Sequence, residues 1–241
     1  METGHQVAGS IRHDAPMTNT TITEPTDPTH TGAELVADPR PALESALATC
    51  SALVDAITPD QLDLPTPCEG MDVRALLGHL VMVAKRIGCA ARMAPTHEWP
   101  SDVTGLADDA WAPVWHESAD AALADWSDDA LLERHMVLPW AAMSGREVVG
   151  IYTNEVVVHT WDLGQALGVA PIWSDAALEV ADAAIHSQLP DADRGPMWAE
   201  VQAQLPEGVP WEDPFVNAVP VADDATLIDR VIAWNGRRPR A

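Results

Sequence analysis

The stretch SGREVVGIYTNEVVVHTWDLGQALG, residues 144–168, decides how the rest of the chain is read. Ser144 and Glu147 stand in the S-x-x-E spacing of a capping box, which marks a helix start. Gly168 and then Pro171 mark its end, because glycine accepts the left-handed cap and proline cannot continue a helix. Between them Val148, Ile151, Tyr152, Val156, Leu163 and Leu167 recur at steps of three and four, the pattern of an inward helix face. Glu155 and His159 fall inside that pattern. Four residues along a helix turn through about 400° and rise about 6 Å, so the two side chains stand one turn apart on nearly the same face. A polar pair on an inward face needs a partner, and a carboxylate and an imidazole placed this way can share a metal ion.

Upstream, a helix is expected over residues 39–57, capped by Asp38, with Pro39 in its first turn and Leu43, Ala46, Leu47, Leu53 and Val54 inward. Residues 58–70 form a loop stiffened by prolines at 59, 65 and 67. A second helix runs from an Asp72 cap to about residue 93, its stripe set by Val73, Leu76, Leu77, Leu80, Val83 and Ile87. His79 lies near that stripe and is a second inward polar group. A third helix spans about residues 109–124, and residues 135–140 read as an extended segment leading into the 144–168 helix. Downstream, Ser174 caps a helix over residues 175–188. Residues 189–224 carry six prolines and read as irregular structure or short strands, before a last helix over residues 225–234.

Residues 1–33 are polar and aperiodic and are expected to be a disordered arm, with Met17 a candidate for the true start. A helical bundle is then expected over 34–190, and an extension packed on it over 191–241. At 241 residues the chain is long enough for a sizeable core. Its 37 acidic against 13 basic residues give a net charge of −24, which repels nucleic-acid phosphates and anionic membranes. Neither is expected as a partner. The basic cluster Arg237, Arg238 and Arg240 reads as a solvated tail. No run approaches the roughly 18 apolar residues of a membrane span. Cys50, Cys68 and Cys89 are odd in number and irregularly spaced, so a disulfide framework is not expected and a reducing, cytoplasmic location fits.

His79, Glu155 and His159 together offer two imidazoles and one carboxylate, a set that leaves coordination positions open on Zn²⁺, Fe²⁺ or Ni²⁺. The spacing is equally that of a helix-surface pair, and an inward histidine is often bonded to a carbonyl instead. There is no G-x-S-x-G elbow, phosphate-binding loop, dinucleotide glycine pattern or H-E-x-x-H. His116, His135 and His186 lack partners at ligand spacing. Asp162 reads as a hydrogen-bond partner to His159 or as a surface charge, the latter preferred.

Two segments, LPTPCEGMDVRALLGHLV at residues 64–81 and NEVVVHTWDLGQALG at residues 154–168, carry a family resemblance. Their P-T-P-C-x-x-x-x-V-x-x-L-x-x-H and E-x-x-x-H-x-W-D-L patterns resemble those of actinobacterial metal-binding proteins related to the N-terminal domain of mycothiol-dependent maleylpyruvate isomerase, in the DinB/YfiT-like superfamily. The similarity extends over about residues 35–238. It implies an all-α protein: a DinB-like four-helix bundle, ordered up-down-down-up, with a short irregular or α+β C-terminal extension. It also implies a divalent metal, Zn²⁺ first with Ni²⁺ or Fe²⁺ as alternatives, held by His79, Glu155 and His159. Met71 stands where the family pattern usually has Trp, and Cys68 belongs to the family's loop motif, outside its metal shell. Trp161 is expected to pack against neighbours.

On this resemblance the chain is expected to be a metal-dependent transferase or isomerase that uses mycothiol or a similar small thiol as cosubstrate against an electrophilic substrate. The alternative it leaves open is a non-catalytic metal-binding or interaction module of the same fold. Relatives of this kind imply a homodimer. Neither a protein acid nor a base is identified.

Overall fold

Four of the helices begin where a short polar side chain takes an orphan backbone N–H. In the computed structural model, which describes residues 36–138, 141–203 and 215–239, Asp72 accepts from Ala75 N at the head of α2 (Val73–Ala91). Ser144 and Glu147 close their capping box at the head of α4 (Gly145–Leu167), which ends on Gly168 at φ 69°. Ser174 caps α5 (Asp175–Gln188), and Thr226 caps α7 (Leu227–Trp234). Helix α1 (Arg40–Val54) starts one residue later than the Asp38 cap implies, after Pro39, yet Asp38 Oδ1 still accepts from Arg40 N at 3.0 Å. Helix α3 (Trp111–Asp125) takes Pro113 in its first turn, as expected.

These elements make an all-α fold of the DinB-like kind with a short extension. Helix α2 packs on α3 and α4, and α1 packs on α4 and α3. Helix α5 covers α4 and α1, and α7 lies against α5 and α4. One apolar cluster runs through the first five helices, with Leu43, Leu47, Leu76, Leu80, Ile87, Val148 and Val156 fully enclosed. The tryptophans are structural where they are buried: Trp126 Nε1 donates to Ile87 O and Trp115 Nε1 to Ser51 Oγ, each at 2.9 Å. Trp161 packs with Val158 and Ile232 between α4 and α7. The three cysteines are free.

The expected extended segment is a strand, β1 (His135–Val137), paired antiparallel with β2 (Ala142–Ser144) so that Met136 faces Met143 inside the core. Trp140, the expected arm at 1–33 and residues 204–214 lie outside the described residues. One expectation is corrected in the stretch after α5: residues 195–203 form a helix, α6 (Gly195–Ala203), where irregular structure was expected. The prolines there suggested a broken chain, but Pro196 sits in the helix's first turn, where its missing N–H costs nothing. No helix among the described residues is long and apolar enough to cross a membrane.

Candidate metal centre

Helix α2 carries His79, α4 carries Glu155 and His159, and the packing of α2 on α4 turns all three side chains toward one point. His79 Nε2 and His159 Nε2 each lie 3.4 Å from Glu155 Oε1. The two imidazole rings are 4.6 Å apart between centres and cross at 71°. The donor atoms of the three residues all fall within 4.8 Å of one another. Helical pitch accounts for the Glu155 and His159 part of this cluster; His79 joins it only through tertiary packing.

Both rings are also held from behind. His79 Nδ1 lies 3.2 Å from Asp102 Oδ1, and His159 Nδ1 lies 3.1 Å from Asp162 Oδ2, so each Nδ1–H has a carboxylate to donate to. Asp102 reaches His79 because the loop after α2 doubles back onto Gly78: Val103 N donates to Gly78 O at 3.2 Å, and a Cβ on Gly78 would collide with the Val103 carbonyl. Asp162 is fully buried, not the surface charge that was preferred from sequence. It is enclosed because it answers two cations at once, His159 and Arg237, whose NH2 lies 2.9 Å from Asp162 Oδ2. Arg237 is likewise no solvated tail residue. The left-handed turn at Gly236, φ 81°, brings it back from the end of α7 onto α4.

The electrostatics follow from this crowding. Burial alone raises the Glu155 carboxyl, but hydrogen bonds from His159 and His79 outweigh it and hold the group well below the usual carboxylate range. Burial alone lowers His159, but hydrogen bonds to Asp162, Cys68 and Glu155 carry it well above the usual imidazole range. For Asp162, burial is outweighed by His159 and Arg237, and the carboxyl is lowered.

This donor set fits a divalent cation. With each Nδ1–H committed to an aspartate, both Nε2 atoms converge on a carboxylate oxygen, and a convergence of acceptors requires protons or a cation among them. A bound cation would take the place of protons among these atoms.

The cluster opens on a cavity of about 160 Å³. Its near wall is the bundle, with Met71 and Val158 beside the polar cluster. Its far wall is the extension, which contributes Phe215, Asn235 and Arg237. Cys68 also lines it, and its Sγ forms a second three-donor group with His159 and Asp162, again within 4.8 Å. Sequence reasoning missed Asp102, Asn235 and Arg237. Asp162, three residues after His159, had the spacing of a helix-face partner, but the other three carried no periodic signal.

Fold and site together define a class: a helical bundle with a His-Glu-His cluster built across two helices on the lining of a cavity. The chain belongs to the family of the mycothiol maleylpyruvate isomerase N-terminal domain, whose family model matches residues 43–164 and so takes in His79, Glu155 and His159. It is 28% identical over 209 residues to uncharacterized proteins of two Mycobacterium tuberculosis strains, CDC 1551 and H37Rv, spanning 84% of this chain and the whole of each relative. Among solved structures it is similar to the mycothiol-dependent maleylpyruvate isomerase, at 17% identity and a TM-score of 0.49 over 61% of this chain and 68% of that one. A histidine-to-alanine mutant of the same enzyme matches at 16% identity and a TM-score of 0.48 over the same shares.

Proposed function

We propose that the chain is a metal-dependent transferase or isomerase that takes a low-molecular-weight thiol of the mycothiol type as cosubstrate and delivers it to an electrophilic carbon. The observation that carries this reading is the pair of imidazoles whose Nδ1 atoms lie beside Asp102 and Asp162 while both Nε2 atoms converge on Glu155 on the lining of a cavity. His79, Glu155 and His159 would hold the ion, with zinc the first choice and nickel or iron the alternatives. When bound, such an ion supplies the Lewis acidity that keeps a thiol deprotonated near neutral pH.

The chain's own residues do the rest. Asp102 and Asp162 fix the ring orientations and the tautomers. Met71, Val158 and Phe215 give the cavity apolar surface that excludes water from the reacting atoms. Arg237, held beside His159 by Asp162 on the lining of the cavity, presents a cation to an anionic substrate or to charge that develops during attack. The free cysteines support a reducing compartment, which we take to be the cytoplasm.

Metal analysis of untagged protein tests the site, with about one ion per chain expected in the wild type and none in His79→Ala or His159→Ala; metal retained in both variants would place it elsewhere. Mycothiol added to the Co²⁺-substituted protein is expected to shift the visible spectrum and to add a thiolate-to-cobalt band in the near ultraviolet. The competing reading, a non-catalytic metal module with a closed shell, draws on Cys68 lying within 4.8 Å of His159. It expects the thiolate band before any thiol is added, and its loss in Cys68→Ser.

A further inference from the structure

The two aspartates behind the histidines are held by different means. Asp162 is fully buried and takes the Arg237 guanidinium directly on its carboxylate. Asp102 is 32% exposed and lies between α2 and α3, outside any helix or strand. A carboxylate that open to water gains little from pairing alone, so its aim at His79 Nδ1 has to come from the main chain that carries it. That main chain is tied twice to α2. Val103 N donates to Gly78 O at 3.2 Å, which sets the residue after Asp102 beside the residue before His79. Only a glycine allows this approach, since a Cβ at position 78 would collide with the Val103 carbonyl. Further along α2, Arg86 Nε donates to Pro100 O at 2.8 Å. Just before that second tie, Trp99 Nε1 closes a turn onto Ala94 O at 2.9 Å. With both ends of residues 100–103 anchored, and the φ of Pro100 fixed by its ring, Asp102 has little room to swing.

We propose that Arg86 is a positioning residue of the metal centre: through the Pro100 carbonyl it fixes Asp102, and through Asp102 it fixes the His79 ring with Nε2 toward Glu155. The inference deepens the metal reading, on which its purpose rests, while the geometry it concerns belongs to this chain's own side chains. Each histidine is then oriented by an aspartate, and each aspartate is held by an arginine. Arg237 acts on its aspartate by charge, and Arg86 acts on its aspartate through the main chain. The working part of Arg86 is therefore the Nε–H donor and not the positive charge.

Two variants separate the donor from the stem and the charge. Arg86→Gln sets an amide N–H where Nε stood and removes the charge, whereas Arg86→Met keeps a stem of similar length without a donor. The first readout, on the full chain freed of metal and labelled with ¹⁵N-histidine, is the hydrogen-bonded Nδ1–H proton of His79, identified by its absence from His79→Gln. That resonance is expected in the wild type and in Arg86→Gln and lost in Arg86→Met, with the helical circular dichroism of all three alike. Gly78→Ala, which pushes off the other tie, is expected to lose it too. Competition for Co²⁺ gives the second readout: about a tenfold loss of affinity in Arg86→Met, no more than about twofold in Arg86→Gln, and no further loss when Arg86→Met is added to Asp102→Asn. Equal behaviour of the Gln and Met variants would overturn the proposal, as would additive losses in the double variant or a wild type without the resonance. A wild type that binds no Co²⁺ yet shows the expected Nδ1–H pattern would sink the metal reading and leave Arg86 in its role. Stoichiometric Co²⁺ with Arg86→Met indistinguishable from wild type in both readouts would do the reverse.

Discussion

The two walls of the cavity are built by different means. The bundle wall places His79, Glu155 and His159 from two long helices whose other residues form the apolar core, so these positions are tied to packing along most of the chain. The extension wall places Phe215, Asn235 and Arg237, and α7 joins the bundle through a small apolar patch, Ile232 against Val158 and Trp161, together with polar contacts to α4. Asn154 and Asn235 exchange amide hydrogen bonds at 3.2 and 2.9 Å, and Arg237 pairs with Asp162. The α5 side adds His186 against Trp234, with ring centres 3.7 Å apart. A wall set by packing along two long helices is expected to hold a donor geometry, whereas a wall joined through one short helix's apolar patch and a few hydrogen bonds can be detached without unfolding what it faces. In the proposed function, ion binding falls to one wall and control of substrate to the other.

The largest expected effect comes from removing a donor from the bundle wall. His159→Ala should abolish stoichiometric metal while the helical circular dichroism stays near wild type, since the core packs around it without using the imidazole. Next come the carboxylates behind the rings. Asp102→Asn and Asp162→Asn should each lower metal affinity by about 10- to 100-fold in a chelator competition. Asp162→Asn alone also releases Arg237, so it should lose substrate binding beyond its loss of metal, and Asp102→Asn should not. Equal losses in both variants would mean that Arg237 is not held through Asp162.

The joint between the walls is the third test. Asn154→Ala takes away the donor to the buried Asn235 Oδ1 and leaves Asn235 Nδ2 only the Val231 carbonyl, and should cost about 1–3 kcal/mol in urea unfolding. Metal affinity should change by no more than a few-fold, because neither amide touches the His-Glu-His cluster. A collapse of metal binding in this variant would show that the walls do not stand independently.

How much was legible follows the same division. The bundle wall could be read from sequence because periodicity, the Ser144 and Glu147 capping box and the Gly168 stop are local signals, and His79 announced itself by falling on an apolar stripe. Asp102 could not be read that way. Its place depends on Val103 approaching the bare Cα of Gly78, a contact between a helix and a loop some 25 residues on. Arg237 was read as tail because a run of arginines next to a terminus looks solvated, and only the turn at Gly236 and the buried Asp162 reverse that reading. Helix α6 was hidden by prolines, whose meaning depends on whether they fall in a first turn or beyond it.

The smallest expected effect provides the control, a charge pair of the same kind far from both walls. Arg40 holds Asp38 through a 2.7 Å contact at the head of α1, and its side-chain hydrogen bond is the main reason that the Asp38 carboxyl lies below its ordinary 3.8. A carboxyl lowered in the folded chain contributes stability above its unfolded value, and that contribution is lost as pH falls through 3.8 and then through the folded value. Asp38 is 42% exposed, so solvent screening limits the contribution to about 0.5 kcal/mol. Asp38→Asn keeps an acceptor for Arg40 N and removes only the charge. Its urea midpoint should lie slightly below wild type at neutral pH, converge with it as the pH falls below 3.8, and converge likewise at high salt. The Asp162 and Arg237 pair is the same chemistry with the carboxylate fully buried, so the deficit of Asp162→Asn should survive added salt. If salt erased both deficits alike, the extension wall would be held no more firmly than a surface contact, and Arg237 would lose its place in the site.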